Sequence, residues 1–289
     1  DGIREIGVTG VQTCALPILL PGLCIDSARL LRARVARPWT ERDLNEALHG
    51  AEFMSVQRRG KHLVFPLRVP DGSVTWMHAH LGMTGRILVE DARRPLPRHA
   101  AVVLGMGSRR WMLVDPRQFG RFGLGKVEGL GPEPMEDSFT AEDLAAGLAG
   151  SRQPVKTRLL DQSVVAGIGN IYASESLHRA GIRPARPAKS LKASEVARLH
   201  HALRHVLGEA IRLGRSLPLD FEGGADGLFY FGSRRDKTAS DPSSTSGREA
   251  TERWSVYDRE GEACPRCGAR IRRWMLGGRA TFECRGCQR

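Results

Sequence analysis

The chain has 289 residues, 41% of them hydrophobic, which is enough apolar material for one to three packed domains. Lysine and arginine total 44 against 32 acidic residues, a formal charge of +12. That excess points to a polyanionic partner, nucleic acid before membrane, and argues against an ordinary enzyme of small neutral substrates. No apolar run reaches the roughly 18 residues of a membrane helix, and a mean hydropathy of −0.31 excludes a wholly disordered chain.

Residues 1–18 read DGIREIGVTGVQTCALPI. They lack the basic start and sustained apolar core of a secretory signal. Val8–Ile18 instead matches the in-frame translation of a sequencing-library adapter, and Asp1–Arg4 matches the adapter segment before it. The expectation is that these residues are non-native and stand in place of the natural start. The alternative is a natural N-terminal extension.

From Leu19 to Val89 the pattern is strand-rich, with strands expected at Ala33–Val35 and Ser55–Leu67 and a helix at Glu41–Leu48. Further strands are expected at Val74–His78, Ala100–Leu104 and Trp111–Val114. Pro132-Glu133-Pro134 marks a boundary, after which the period becomes helical. Thr140 is a good N-cap for Ala141–Leu148. Helices are expected at Val155–Leu160 and at Ile171–Arg179, the second stopped by Gly181. Ser194 is read as the cap of a long helix reaching Leu213. Residues 233–251 are small, polar and apolar-poor, and read as a loop. The domains expected are 19–134, 135–252 and 253–289, after the 1–18 segment.

The six cysteines are unevenly placed. Cys264, Cys267, Cys284 and Cys287 form two C-x2-C knuckles sixteen residues apart. This spacing suits one tetrahedral structural Zn²⁺ and a reducing compartment rather than a disulfide framework. Gly277-Gly278 between two strand-like runs makes a hairpin whose tip carries Arg279. The zinc stabilises the tail, and Arg270, Arg272, Arg273 and Arg279 suit it to nucleic-acid contact as well.

Several motifs converge here: QRRGKHL (57–63), HLGMTG (80–85), DPRQFGRFG (115–123), LGPEP (130–134), DQSVVAGIGNIYASESLHRAGI (161–182) and GGRATFECRGCQR (277–289). Together the chain resembles the formamidopyrimidine-DNA glycosylase and endonuclease VIII family of base-excision repair enzymes. The resemblance implies an α+β multidomain fold: an N-terminal β-sandwich, a helix–two-turn–helix domain and a C-terminal four-cysteine zinc-finger hairpin. It implies damaged duplex DNA as partner, no membrane, a monomer, and a bacterial cytoplasmic, nucleoid-associated setting. Base flipping, Schiff-base chemistry and strand cleavage are the implied reaction.

By resemblance Lys61, read as lying in a strand beside Arg58 and Arg59, is a phosphate contact and proton donor in strand cleavage; without it, the same triplet is a solvated basic edge. Met83, Arg117 and Phe119 form the wedge that replaces a flipped base, Arg117 meeting the orphaned partner; Met83 alone would read as core. His99 and Asn170 are DNA contacts, Lys156 is a lesser one, and Arg279 serves the second elimination. Residues 216–232 occupy the place of the lesion-capping loop. His200, His201 and His205 read as a helix surface.

Two departures stand out. Gln118 occupies a place where relatives often carry a second arginine. The family's N-terminal Pro-Glu nucleophile pair is absent, so the sequence as written is expected to trap poorly with borohydride on abasic DNA. QRRGKHL and LGPEP favour the formamidopyrimidine branch and oxidised purines. The alternatives are an endonuclease VIII-type enzyme for oxidised pyrimidines and a non-catalytic binder of damaged DNA. A plain zinc-ribbon module leaves HLGMTG and DPRQFG unexplained.

Overall fold

The computed structural model describes residues 16–216 and 254–289. Most of 1–18 and the loops read at 216–232 and 233–251 lie outside them, Ser216 apart. The chain divides into two compact units at Gly129/Leu130.

The first unit is a β-sandwich. One four-stranded antiparallel sheet runs in the order β1 (Ser27–Leu30), β7 (Ala100–Met106), β8 (Arg109–Val114), β6 (Arg86–Asp91). The other runs β2 (Glu52–Phe53), β4 (His62–Arg68), β5 (Val74–His80), β9 (Arg121–Leu124), with β3 (Gln57–Arg59) paired to β4. Alternate residues of each strand turn inward. Phe53, Leu63, Phe65, Met77 and Phe122 meet Ala28, Val102, Leu104, Trp111 and Leu113 in one buried cluster. Trp111 is fully buried and lies edge-on to Phe65 at 5.9 Å and Phe122 at 5.8 Å. Helices α1 (Leu16–Leu19) and α2 (Glu41–Leu48) accompany the sheets. Thr40 and Asp43 close a capping box at the start of α2.

Three expectations are corrected here. Ala33–Val35 is a turn of 3-10 helix, not a strand: Val35 N–H bonds the Arg32 carbonyl and Ala36 N–H bonds that of Ala33, so the segment's bonds are local. Ser55–Leu67 is two strands, because Gly60 takes φ +57° and the chain reverses. Lys61 therefore sits in a hairpin turn beside Gly60 rather than in a strand.

The second unit holds α3 (Ala141–Leu148), α4 (Val155–Leu160), α5 (Asn170–Ala180) and, up to Ala210, α6 (Ala193–Ser216), then the hairpin β10 (Arg272–Leu276) and β11 (Arg279–Glu283). Thr140 and Asp143 form a second capping box. Gly181 ends α5 at φ +72°, with Ile182 N–H returning to the Leu177 carbonyl. Ser194 lies inside α6 rather than at its cap; the Glu195 carboxylate accepts the Lys192 N–H at 2.9 Å and closes the helix start instead. The α+β, multidomain architecture expected from the sequence is the one observed.

Replacing Trp111 by alanine empties the centre of the sandwich. The expected loss is about 3–5 kcal/mol, read from the urea midpoint of unfolding followed by circular dichroism.

Candidate functional site

In the first unit three expected wedge residues come together on two loops. Gly82, at φ +61°, packs so closely on the Phe119 backbone that a Cβ there would lie 2.8 Å from its carbonyl carbon. The loops are fastened through Asp115. Its carboxylate accepts Thr84 Oγ1 at 2.6 Å, Gly120 N–H at 2.7 Å and Arg117 N–H at 3.2 Å. Met83 is 49% exposed and Phe119 42%, although both are large and apolar. Both side chains face water on fastened loops and stand outside the core. The Arg117 guanidinium stacks over the Phe119 ring at 4.8 Å. Gln118 between them takes φ +53°. His99 is half-buried, and its carbonyl accepts the Asp115 N–H at 3.0 Å.

Beneath the Met83 loop lie three histidines. His62 packs on His78 and His80 with ring centres 5.5 and 5.1 Å apart. The His80 Nδ1 accepts the Gly82 N–H at 3.0 Å, so that nitrogen is unprotonated. Burial, then the charges of Lys61 and Arg121, hold His80 below the usual histidine range. Burial, then His80 and His78, bring His62 down to about 4. Sequence reading missed Asp115, Thr84 and this cluster; the H-x-H of His78 and His80 on one face of β5 was the available signal.

In the second unit, Gln162 builds the turn before α5. Its side chain accepts the Gly167 N–H and donates to the Leu160 and Ile168 carbonyls. Gly169 leaves the first turn of α5 without a side-chain cap, and Asn170 opens the helix. Asn170 Nδ2 donates to the Ala280 carbonyl at 2.9 Å. The Lys156 ammonium donates to the same carbonyl at 2.9 Å and to Thr281 Oγ1 at 2.8 Å. Lys156 is 1% exposed, so its side chain is committed to the hairpin rather than held out to solvent. Arg279, the residue before Ala280, is exposed beside the Gly277-Gly278 turn, whose two glycines take φ +56° and +72°.

The cysteines are gathered behind that hairpin. Cys267 and Cys284 sulfurs lie 3.4 Å apart and those of Cys264 and Cys287 3.8 Å, with no disulfide among them. A hydrogen bond from the Ala269 backbone, then bonds with the neighbouring sulfurs, bring the Cys267 thiol down to about 7. Gly286 leaves room for the cluster, since a Cβ there would stand 2.9 Å from the Cys267 sulfur. His178 of α5, unassigned by sequence reading, joins Cys264, Cys284 and Cys287 in a group whose ligand atoms lie within 4.8 Å of one another.

A β-sandwich with exposed Met83 and Phe119 on fastened loops, followed by a helical unit and a hairpin beside four clustered cysteines, defines an α+β multidomain protein. Residues 11–122 match the formamidopyrimidine-DNA glycosylase N-terminal domain and residues 130–219 the formamidopyrimidine-DNA glycosylase H2TH domain. The formamidopyrimidine-DNA glycosylase of Laribacter hongkongensis is 38% identical over 283 residues, covering 93% of this chain and 94% of that relative. The Lactococcus lactis formamidopyrimidine-DNA glycosylase, solved non-covalently bound to DNA containing an AP site, superposes with a TM-score of 0.77 at 26% identity over 99% of both chains. A mutant of the Lactococcus lactis protein, solved with Fapy-dG containing DNA, gives a TM-score of 0.77 at 27% identity over 99% of both chains. The chain belongs to the formamidopyrimidine-DNA glycosylase family.

Burial, then the charge of Arg279, lowers Lys156 to about 8. The folded chain therefore binds fewer protons than the unfolded one between about 8 and the ordinary lysine value of about 10.4, and stability rises with pH across that window. The expected observation is an NMR titration of the Lys156 side chain with a midpoint near 8; a midpoint above 10 would refute the burial argument.

Proposed function

We propose that the protein is a base-excision DNA glycosylase with AP lyase activity, acting on oxidised purines in duplex DNA. The observation that carries this reading is the exposed Met83–Phe119 pair fastened through Asp115. A base can be processed at its sugar only after leaving the stack, and the vacated space must be filled. Met83 and Phe119 fill it and pry the step open, and the Arg117 guanidinium meets the orphaned base. Lys61, His99, Asn170 and Arg279 are assigned to DNA phosphates around the lesion, where Asn170 opens an uncapped helix and Arg279 stands exposed at a hairpin tip. Arg279, always protonated, acts on the second elimination through phosphate electrostatics. Lys156 is kept as a lesser candidate that acts from inside the hairpin. The domains are proposed as in the sequence reading, 19–134, 135–252 and 253–289, the first boundary standing five residues after the division between the two compact units and the last two domains falling within the second unit apart from the end of α6.

The cysteine centre is proposed to hold one structural Zn²⁺. Four thiolates at about 2.3 Å from a tetrahedral ion stand about 3.8 Å apart. The sulfur separations of 3.4 and 3.8 Å and the space left by Gly286 fit that ion. When bound, it offsets half the charge of the four thiolates and fixes the two knuckles. Damaged duplex DNA is the partner. Among the described residues no helix is long and apolar enough to cross a membrane.

Excision is tested on duplexes carrying one 8-oxoguanine or one oxidised pyrimidine. With the family's N-terminal Pro-Glu supplied ahead of Leu19, preferential release of 8-oxoguanine with strand nicking is the expected outcome; preference for the pyrimidine would assign the endonuclease VIII branch. Tight lesion binding without release would assign a binder. Met83→Ala and Phe119→Ala are each expected to reduce the affinity ratio of abasic over intact duplex about tenfold, ~1.4 kcal/mol, at fixed salt.

A further inference from the structure

One buried group has no part in that reading. His178 lies in the last turn of α5 and is 4% exposed. Its Nε2 stands 3.3 Å from the Cys264 sulfur. The helix that carries it is held against the finger segment by bonds on both sides of it. The Glu175 carboxylate accepts the N–H groups of Ser255, Val256 and Tyr257 at 2.8–2.9 Å. Beyond the helix end, Gln288 Nε2 donates to the Ile182 carbonyl at 2.8 Å, and the Arg289 N–H reaches the Gly181 carbonyl at 3.0 Å. His178 is thus fixed in place with its nitrogen aimed at sulfur.

The thiolates of a metal centre accept hydrogen bonds and cannot donate them, and buried negative charge needs such donors. The knuckles serve two of their own sulfurs. Cys267 takes the backbone N–H of Ala269, and Cys284 takes those of Cys287 and Gly286. Cys264, 3% exposed, meets a ring nitrogen from a different element, the imidazole of α5. Since four sulfurs already complete a tetrahedral set, the imidazole is left outside it.

Resting on the zinc reading above, we propose that His178 donates its Nε2–H to the Cys264 thiolate and so fastens the metal centre to α5, the helix that Asn170 opens. His178 is a positioning residue. It sets how long the centre keeps its ion and how firmly the finger is seated on that helix.

The test begins with the zinc content of the full chain. About one zinc per chain is expected; a metal-free chain overturns both the zinc reading and this one. Long-range proton–nitrogen NMR of the zinc-loaded chain is expected to show His178 protonated at Nε2. An unprotonated, metal-shifted Nε2 overturns the proposal and makes His178 a ligand. Transfer of zinc to a chelator is expected at least about tenfold faster from His178→Leu, and near the original rate from His178→Gln, whose amide N–H reaches a similar place. The thiolate-to-metal absorption band of the cobalt-loaded chain is expected to shift in the leucine variant and return in the glutamine one. Release from His178→Leu at the original rate, with zinc present, overturns the proposal while leaving the zinc reading intact. The NMR measurement needs no variant and decides the matter even where the leucine chain fails to fold.

Discussion

The C-terminal hairpin segment depends on polar ties to α5 and the residues after it more than on hydrophobic burial of its own. Its own buried cluster is Val256, Cys264, Ile271, Phe282 and Cys284, and two of those five are cysteines. So small a cluster removes too little apolar surface from water to offset the backbone entropy of an ordered hairpin. The remainder comes from outside the hairpin. Glu175 gathers three backbone N–H groups, and Gln288 bridges Cys284 N–H to the Ile182 carbonyl. Burial raises the Glu175 carboxyl above its ordinary value, and the backbone N–H bonds offset only part of that rise.

The hairpin tip is fixed by a second arrangement at one carbonyl. Ala280 accepts both Lys156 and Asn170, from two different helices, and Arg279 precedes it directly. Two donors on one oxygen set the direction of the strand at that point, and so the place from which the arginine extends. The exposed charge is positioned by buried Lys156 and half-buried Asn170.

Much of this was legible in the sequence. The helices at Glu41–Leu48, Ala141–Leu148 and Val155–Leu160 appear with the expected bounds, because Thr-x-x-Asp boxes and proline punctuation are local signals. The knuckles and the Gly-Gly turn were readable for the same reason. What escaped was set by partners far along the chain. Lys156 looks like a surface cation until Thr281 is folded onto it, 125 residues away. His178 looks like one more helix residue until Cys264, 86 residues on, is brought to its ring. Asp115 reads as loop chemistry, and its tie to Thr84 spans 31 residues. Ala33–Val35 misled because three residues are too few to distinguish alternation from a turn.

Asp115 also has a mechanical consequence. One carboxylate holds the hydroxyl of Thr84 on one loop and two backbone N–H groups on the other. The methionine and the phenylalanine are therefore two teeth of one rigid comb, and their spacing is set by a single side chain that neither of them contacts through its own. A change at that one carboxylate would loosen both side chains at once.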